Sequence, residues 1–513
     1  MAIGTISFAQ KPVNSSDQVP VITNYNPLIG YMVYQDDISG LFYFKLVVEV
    51  RITNVSGNVI AKLKQRRNGF PADNAGGTQR ARAYFDIRDI ANTQIVDTVF
   101  DQNDPSPPFR SIHGVSAGGS GAKIFSANGD NQMIGADGTN TKTQIVQLCV
   151  KAYQEYAANA TDVPVEKYTP TVNDTWFYMA ASYDLFKPRS VNTTPGSAYL
   201  QSNTFNEFAL NTNAKRFLSD MQKSTAGIVG LPGLESNLGK VRRTYIDYNE
   251  MHTLAFLNDA TNFNTNAYQI EVKYYAGSAA LASNQFKFQS TAGFGGIAPN
   301  DAGLIDKQRI LYFGCGTYNL DQQTIDADVR PSTVISSWTH YTVQALDASN
   351  NAVSDLYYFI KRKKSTNDTA PCKGYKVRRL AFRNSLGCYD YFSFTSKSSQ
   401  TLDIKRNTYN SLIGNFSSDI FYYNDDMRGK NTRQTTAVLK ETLNSGWITE
   451  EDADLMEKLI YSTSVYVTAN NDTTYTEAVI VTDSNFVRKT VANEKLIQYT
   501  INIEYANPIN TNS

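Results

Sequence analysis

The chain has 513 residues, and its 48 Lys and Arg balance 48 Asp and Glu, leaving no formal net charge. That length exceeds the roughly 100–200 residues of one domain, so several cores are expected. A balanced chain also lacks the global field that draws nucleic acid or an anionic membrane, so direct nucleic-acid recognition is not expected.

Met1-Ala2-Ile3-Gly4-Thr5 carries neither the basic segment nor the apolar stretch of a secretory signal. No run approaches the roughly 18 apolar residues of a membrane span. The expectation is a soluble chain made in a cytoplasm, without membrane insertion. Cys149, Cys315, Cys372 and Cys388 have no C-x-x-C spacing and read as free thiols.

In chain order, the first clear element is a strand. Phe42, Phe44, Leu46, Val48, Val50 and Ile52 alternate with Tyr43, Lys45, Glu49 and Arg51, the period of a half-buried strand. Asn54-Val55-Ser56-Gly57-Asn58 reads as a turn, and Val59, Ala61 and Leu63 resume the pattern as a hairpin. From Gln144 to Tyr156 the spacing of Ile145, Leu148, Cys149 and Ala152 predicts a short helix. Trp176-Phe177-Tyr178-Met179 is strand-like and leads into the turn-rich stretch Pro188–Ser202, where a domain boundary is expected.

Alternation returns at Tyr268, Ile270, Val272 and Tyr274, before Gly277. It returns again at Tyr341, Val343 and Ala345, with a turn at Asp347-Ala348-Ser349-Asn350-Asn351 and a return strand through Tyr357 and Phe359. A second boundary is expected at Ser365–Pro371. Thr449 can cap a helix with Glu450, Glu451 and Asp452 at its positive end and an apolar stripe of Leu455, Met456, Leu459 and Ile460. Ile497, Tyr499, Ile501, Ile503 and Tyr505 then line one face of a final strand. The fold class expected is mainly β: antiparallel β-sandwich-like domains at 1–187 and 188–367, and a small α+β C-terminal module at 368–513.

Motifs for catalysis are sparse. His113, His252 and His340 are far apart, with no H-E-x-x-H or G-x-S-x-G, and read as structural histidines. The glycine-rich stretch Gly114–Lys123 fails the phosphate-loop order, because Ile124 follows Lys123. With Gly129, Gly135 and Gly138 it reads as a long loop suited to subunit contacts. Asp130, Asp137, Asp321, Asp326 and Asp328 offer hard oxygens to calcium but lack the D-x-[DN]-x-[DN]-G order, so solvated carboxylates are expected. No local pattern singles out a carboxylate pair for glycoside hydrolysis. The basic clusters at Lys62, Lys64, Arg66 and Arg67, at Lys361–Lys364, and at Arg378-Arg379 read as solvated strand ends, with an inter-subunit salt-bridge rim as the alternative. Tyr357, Tyr358 and Phe359 beside them read as core.

Phe382-Arg383-Asn384-Ser385-Leu386-Gly387-Cys388-Tyr389-Asp390-Tyr391-Phe392-Ser393-Phe394 resembles an aromatic, glycine-centred segment of tail-associated structural proteins of tailed bacteriophages. Arg216–Asp220, His252–Phe256 and the run from Trp447 through Ser462–Val467 to Lys495–Tyr499 are similar more weakly. The resemblance covers mainly residues 205–513. It implies a non-enzymatic virion protein of the tail (baseplate, hub or ring), assembled in the host cytoplasm, with further copies of itself and other tail proteins as partners in a symmetric assembly.

It implies no catalytic, cofactor or metal residues. Phe382, Gly387, Tyr389, Tyr391, Phe392 and Trp447 are the candidate assembly or core positions. From the residues alone, Gly387 suits a positive φ, the aromatics suit a core hairpin, and Trp447 is expected to anchor the helix that follows it. The alternatives are a receptor- or glycan-binding tail adhesin, marked by an exposed Tyr or Trp patch beside Asn and Asp, and a glycosidase.

Overall fold

The structure is a computed structural model that describes residues 6–10, 21–22, 29–34, 38, 40–52, 57–66, 81–94, 125–127, 145–179, 209–210, 216–224, 241–247, 250–258, 267, 269–276, 279–289, 311–321, 338–362, 375–468, 477–487 and 497–512. The boundaries expected at 188–202 and 365–371, the glycine-rich loop 114–140 apart from residues 125–127, His113, Cys372, Asp326 and Asp328 lie outside them. Two compact units are present. One comprises Met1–Lys361 with Asn384–Asp390, the other Arg362–Arg383 with Tyr391–Ser513.

Strands dominate the described residues, as the alternation predicts. In the first unit a five-stranded sheet runs in the order Val21–Ile22, Val165–Met179, Ile145–Ala157, Phe42–Ile52, Val59–Arg66, antiparallel except for the first pair. Phe44, Leu46, Val48 and Val50 form its inner face with Leu148, Val150 and Ala152, and pack in one core with Ile6, Ala81, Ala83 and Phe85 of a three-stranded sheet. This is a β-sandwich.

Ile145–Ala157 is thus a strand, where the spacing predicted a helix. Leu148, Val150 and Ala152 also fit a period of two, and pairing along both edges decides the conformation over local propensity.

A second sandwich uses the other alternating runs. Ile270, Val272, Tyr274, Tyr341, Val343, Ala345, Tyr357 and Phe359 of a six-stranded sheet share a core with Leu254, Phe256 and Phe313 of a four-stranded one. The Asp347 turn is set by its own carboxylate, which accepts from the Ser349 and Asn351 amides at 2.8 and 2.7 Å.

The second unit is α+β. Its eight-stranded sheet is ordered Tyr389–Phe394, Arg378–Arg383, Val465–Thr468, Glu477–Val481, Ile497–Tyr505, Lys430–Ile448, Ser399–Asn410, and Ile509–Asn512 also pairs with Lys430–Ile448. The helix Glu450–Ile460 starts with a capping box between Thr449 and Asp452 and buries Ala453, Leu455, Met456 and Leu459 against Ile497, Tyr499, Ile501 and Ile503. Nothing among the described residues is a helix long and apolar enough to cross a membrane.

Candidate interaction site

The segment that carries the resemblance is a buried hairpin. Phe382, Leu386, Cys388, Tyr389, Tyr391, Phe392 and Phe394 are all buried, and Gly387 turns the chain at φ +82°. Asn384 closes the turn, its carbonyl accepting from the Gly387 amide at 3.1 Å and its side-chain oxygen from the Leu386 and Cys388 amides at 3.1 and 2.9 Å. Phe382, Tyr389, Tyr391 and Phe392 are therefore packed in the interior, with Gly387 at the turn.

Residues 384–390 meet Arg216–Asp220 through two interlocked carboxylates. Asp390 accepts from the Ser219 hydroxyl at 2.6 Å, the Asp220 amide at 2.7 Å and the Asn384 side-chain amide at 3.0 Å. Asp220 accepts from the Ser385 amide and hydroxyl at 2.6 and 2.5 Å. Burial, and then the charge of Asp220, push the Asp390 carboxyl up to about 7. Leu218 donates its amide to the Ala255 carbonyl at 2.7 Å and Phe217 meets Phe256 edge-on, so the two weaker motifs pack on each other as well. Enclosed in this way, the carboxylate pair is a structural lock and has no open face toward a substrate.

The other expected positions are mostly structural. His340 is buried between Tyr275 and Tyr358, and burial lowers it to about 4, so it is neutral at physiological pH. His252 stands edge-on to Phe359. Lys62 and Lys64 are paired within the five-stranded sheet with Glu49, Glu155 and Glu166. Burial opposes ionisation of Glu166, yet donors from Lys64, Tyr168, Lys62 and Tyr153 hold its carboxyl down at about 2. Cys149, Cys315 and Cys388 are buried free thiols, and Tyr357, Tyr358 and Phe359 are core.

Two expectations are corrected. Arg378 and Arg379 are not a solvated strand end: Arg378 pairs with the buried Glu441 at 2.8 Å, and Arg379 is 1% exposed, stacked over Tyr391 and bonded to Ser393. A guanidinium fork can satisfy itself inside a sheet where an ammonium would not. Trp447 does not anchor the helix; it is 67% exposed. A bulge between Asn444 and Trp447, with Gly446 at φ +73°, shifts the strand so that Ile448 turns inward and Trp447 outward.

The principal exposed feature was not singled out by the sequence. Ser399–Asn410 pairs with Lys430–Thr432 and, past a bulge, with Gln434–Thr442 as a long ribbon, and all twelve residues of Ser399–Asn410 are exposed. The first buried residue on the opposing strand is Ala437, and Ile509–Asn512 flanks that strand only from Gln434 to Ala437. Farther out the described ribbon is two-stranded and has no core.

Its end is a folded tip. The Ser411 amide donates to the Gly429 carbonyl at 2.8 Å, and Asn431 donates to the Ser411 hydroxyl at 2.7 Å, which closes the base. Beyond it Asn415–Ser417 and Ile420–Tyr422 form a small hairpin turned by Ser418 and Asp419 at φ 51° and 66°, the left-handed pair of a two-residue loop. Gly414, at φ +108°, lets the Phe421 ring lie where any Cβ would collide. The tip exposes Leu412, Ile413, Phe416, Ile420, Phe421, Tyr422 and Tyr423, at 39–79% each. The sequence signal is the run Ile420-Phe421-Tyr422-Tyr423 set between Gly414 and Gly429 among Asn, Asp and Ser.

The tip presents apolar side chains to solvent. Among the described residues no three His, Cys, Asp or Glu side chains come together as a metal site. A cavity of about 270 Å³ in the second unit is lined by Ile460, Asp483, Asn485, Phe486, Val487, Gln498, Tyr499 and Thr500, and it is smaller than the roughly 300–1,000 Å³ of small-molecule sites. Comparison with protein-family models gives no match, and comparison with curated proteins gives no relative.

Proposed function

We propose that this chain is a non-enzymatic structural protein that joins an assembly through its ribbon arm, and that the assembly is the tail of a phage virion. The observation that carries the assembly role is the tip. Phe416 and Phe421 on one face of its small hairpin, and Ile420 and Tyr422 on the other, are open to solvent, with Leu412, Ile413 and Tyr423 beside them, an unusual concentration of exposed apolar side chains for a turn. A two-stranded ribbon is only marginally stable in water by itself, so a partner surface along the arm would also complete its packing. The tail location, as baseplate, hub or ring, rests on the resemblance of residues 205–513. It brings with it further copies and other tail proteins as partners, and assembly in the host cytoplasm.

Immunogold labelling of purified particles tests this reading. Label on the tail is expected; label over the head, or none after partial disruption, contradicts it.

A second reading has one observation in its favour. Tyr422 and Tyr423 are exposed beside Asn424, Asp425 and Asp426, the aromatic and polar combination that suits a sugar face. A glycan-binding adhesin would retain ligands on a glycan array and lose them on Tyr423→Ala; an empty array removes this reading.

A further inference from the structure

We propose that Ser399–Asn410, the edge strand of the arm, pairs antiparallel with the same strand of a second copy, so that the two sheets become continuous. The inference deepens the assembly reading by naming the partner along the arm, and it rests on that reading.

The edge is open and regular. Ser399–Asn410 ends its sheet: Lys430–Thr442 pairs with it on one side, and among the described residues no strand lies on the other. All twelve of its residues are exposed, and neither Pro nor Gly interrupts it. The bulge skips Arg433 on the opposing strand, so the edge strand itself keeps its alternation. A long edge of this kind carries a row of N–H and C=O groups that template another strand.

The charges select one register. In an antiparallel pair, directly opposite residues lie on the same face, so two identical strands meet odd position against odd and even against even. Centred on Ile404, the pairing sets Asp403 of each copy opposite Lys405 of the other, twice by symmetry. A step either way puts a like charge on itself, Asp403 against Asp403 or Lys405 against Lys405. Opposite charges facing across strands stabilise the pair and like charges destabilise it.

Both faces gain from this register. On the face toward the core, Ile404 lies opposite Ala437, and Leu402 opposite Leu439, which packs on the core of the second unit. Ile404 and Leu402 are 44% and 46% exposed. Pairing lays Ile404 against Ile404 of the second copy and Leu402 against the stem of its Arg406, extending the apolar row across the junction. On the other face Asp403 accepts from Lys440 at 2.6 Å, and a carboxylate has acceptor capacity for Lys405 of the second copy as well. The outer ribbon, where Thr408 and Tyr409 pair with Thr432 and Asn431, gains a third strand from Gln400 and Ser399 of the second copy. That is the support a two-stranded ribbon lacks in water. Since the same surface serves both copies, the contact closes as a two-fold dimer.

Sedimentation velocity of the purified full chain with Asp403→Lys and Lys405→Asp tests the proposal. Both positions are exposed, and circular dichroism confirms that the variants fold. Wild type is expected to dimerise at micromolar concentration. Asp403→Lys makes the strand positive at both positions and Lys405→Asp makes it negative at both, so each variant alone should associate about 10-fold or more weaker. An equimolar mixture of the two restores both opposite-charge pairs and should give heterodimers, and a chain carrying both changes should dimerise like wild type. A monomeric wild type, variants that dimerise undiminished, or a mixture that stays monomeric overturns the proposal. Particle incorporation separates its failure from that of the assembly reading: a monomeric wild type that still enters particles overturns the self-pairing alone, and one that neither associates nor enters particles overturns both.

Discussion

Replacing Asp390 by Asn should flatten the pH dependence of the lock around residues 384–390. In the unfolded chain this carboxyl titrates near 3.8, and in the folded chain burial and the Asp220 charge push it up to about 7. Between those values the folded form holds a proton that the unfolded form has lost. The contribution of Asp390 to stability is therefore largest below pH 4 and is lost as pH rises toward 7, on the order of 4 kcal/mol in all at about 1.4 kcal/mol per pKa unit.

His340 acts in the opposite sense in the same unit: lowered from 6.5 to about 4 by burial, it costs stability as pH falls through that window. The difference between wild type and Asp390→Asn cancels its contribution. The assay is hydrogen exchange by mass spectrometry on peptides spanning 216–222 and 384–390 from pH 5 to 8, corrected for the intrinsic pH dependence of exchange. Wild type should lose protection relative to the variant as pH rises. Parallel profiles, or a variant that loses protection faster, would refute the reasoning. Asp390→Ala is a different perturbation, because it strands the Asp220 amide and the Ser219 hydroxyl. At about 1–3 kcal/mol for each buried donor left unpaired, it should cost roughly 2–6 kcal/mol at low pH, and less as pH rises toward 7 and the contribution of the protonated carboxyl is lost.

Gly387→Ala forces an L side chain to φ +82° and should cost about 1–2 kcal/mol, read from denaturant unfolding of the full chain. Thr449→Ala removes the cap of the helix Glu450–Ile460 and should cost about 1 kcal/mol by the same measurement. Trp447→Ala should change stability by less than about 0.5 kcal/mol, since the indole is exposed; a loss of several times that would restore an anchoring role.

The sequence was most legible where apolar and polar residues alternate along a strand. Ile497–Tyr505 is buried on one face only, the direct imprint of a half-buried pleat, whereas Phe42–Ile52 and Tyr341–Ala345 alternate in sequence but also bury residues of the other face, Val47, Glu49 and Thr342. The helix at Glu450 was legible for a similar reason, since its cap and stripe are local. Ile145–Ala157 was misread because a strand between two others is decided by its neighbours, and Leu148, Cys149 and Ala152 fit either period.

Trp447 was misplaced by a one-residue phase shift at Gly446, which apolarity alone does not encode. The lock between Asp220 and Asp390 joins positions 170 residues apart, so no local spacing could show it. The arm has no local signature, because alternation with nothing buried resembles an ordinary edge strand. Its informative residues, Phe416 and Ile420–Tyr423, break the rule that exposed turns are polar.

The most direct test of the assembly role replaces residues 412–428 by a short Asn-Gly turn between Ser411 and Gly429, which are already bonded to each other, and measures incorporation of the full chain into particles by sedimentation. The account predicts a folded protein with an unchanged circular dichroism spectrum that no longer co-sediments with the assembly. A tip-deleted chain that incorporates as wild type does would contradict it.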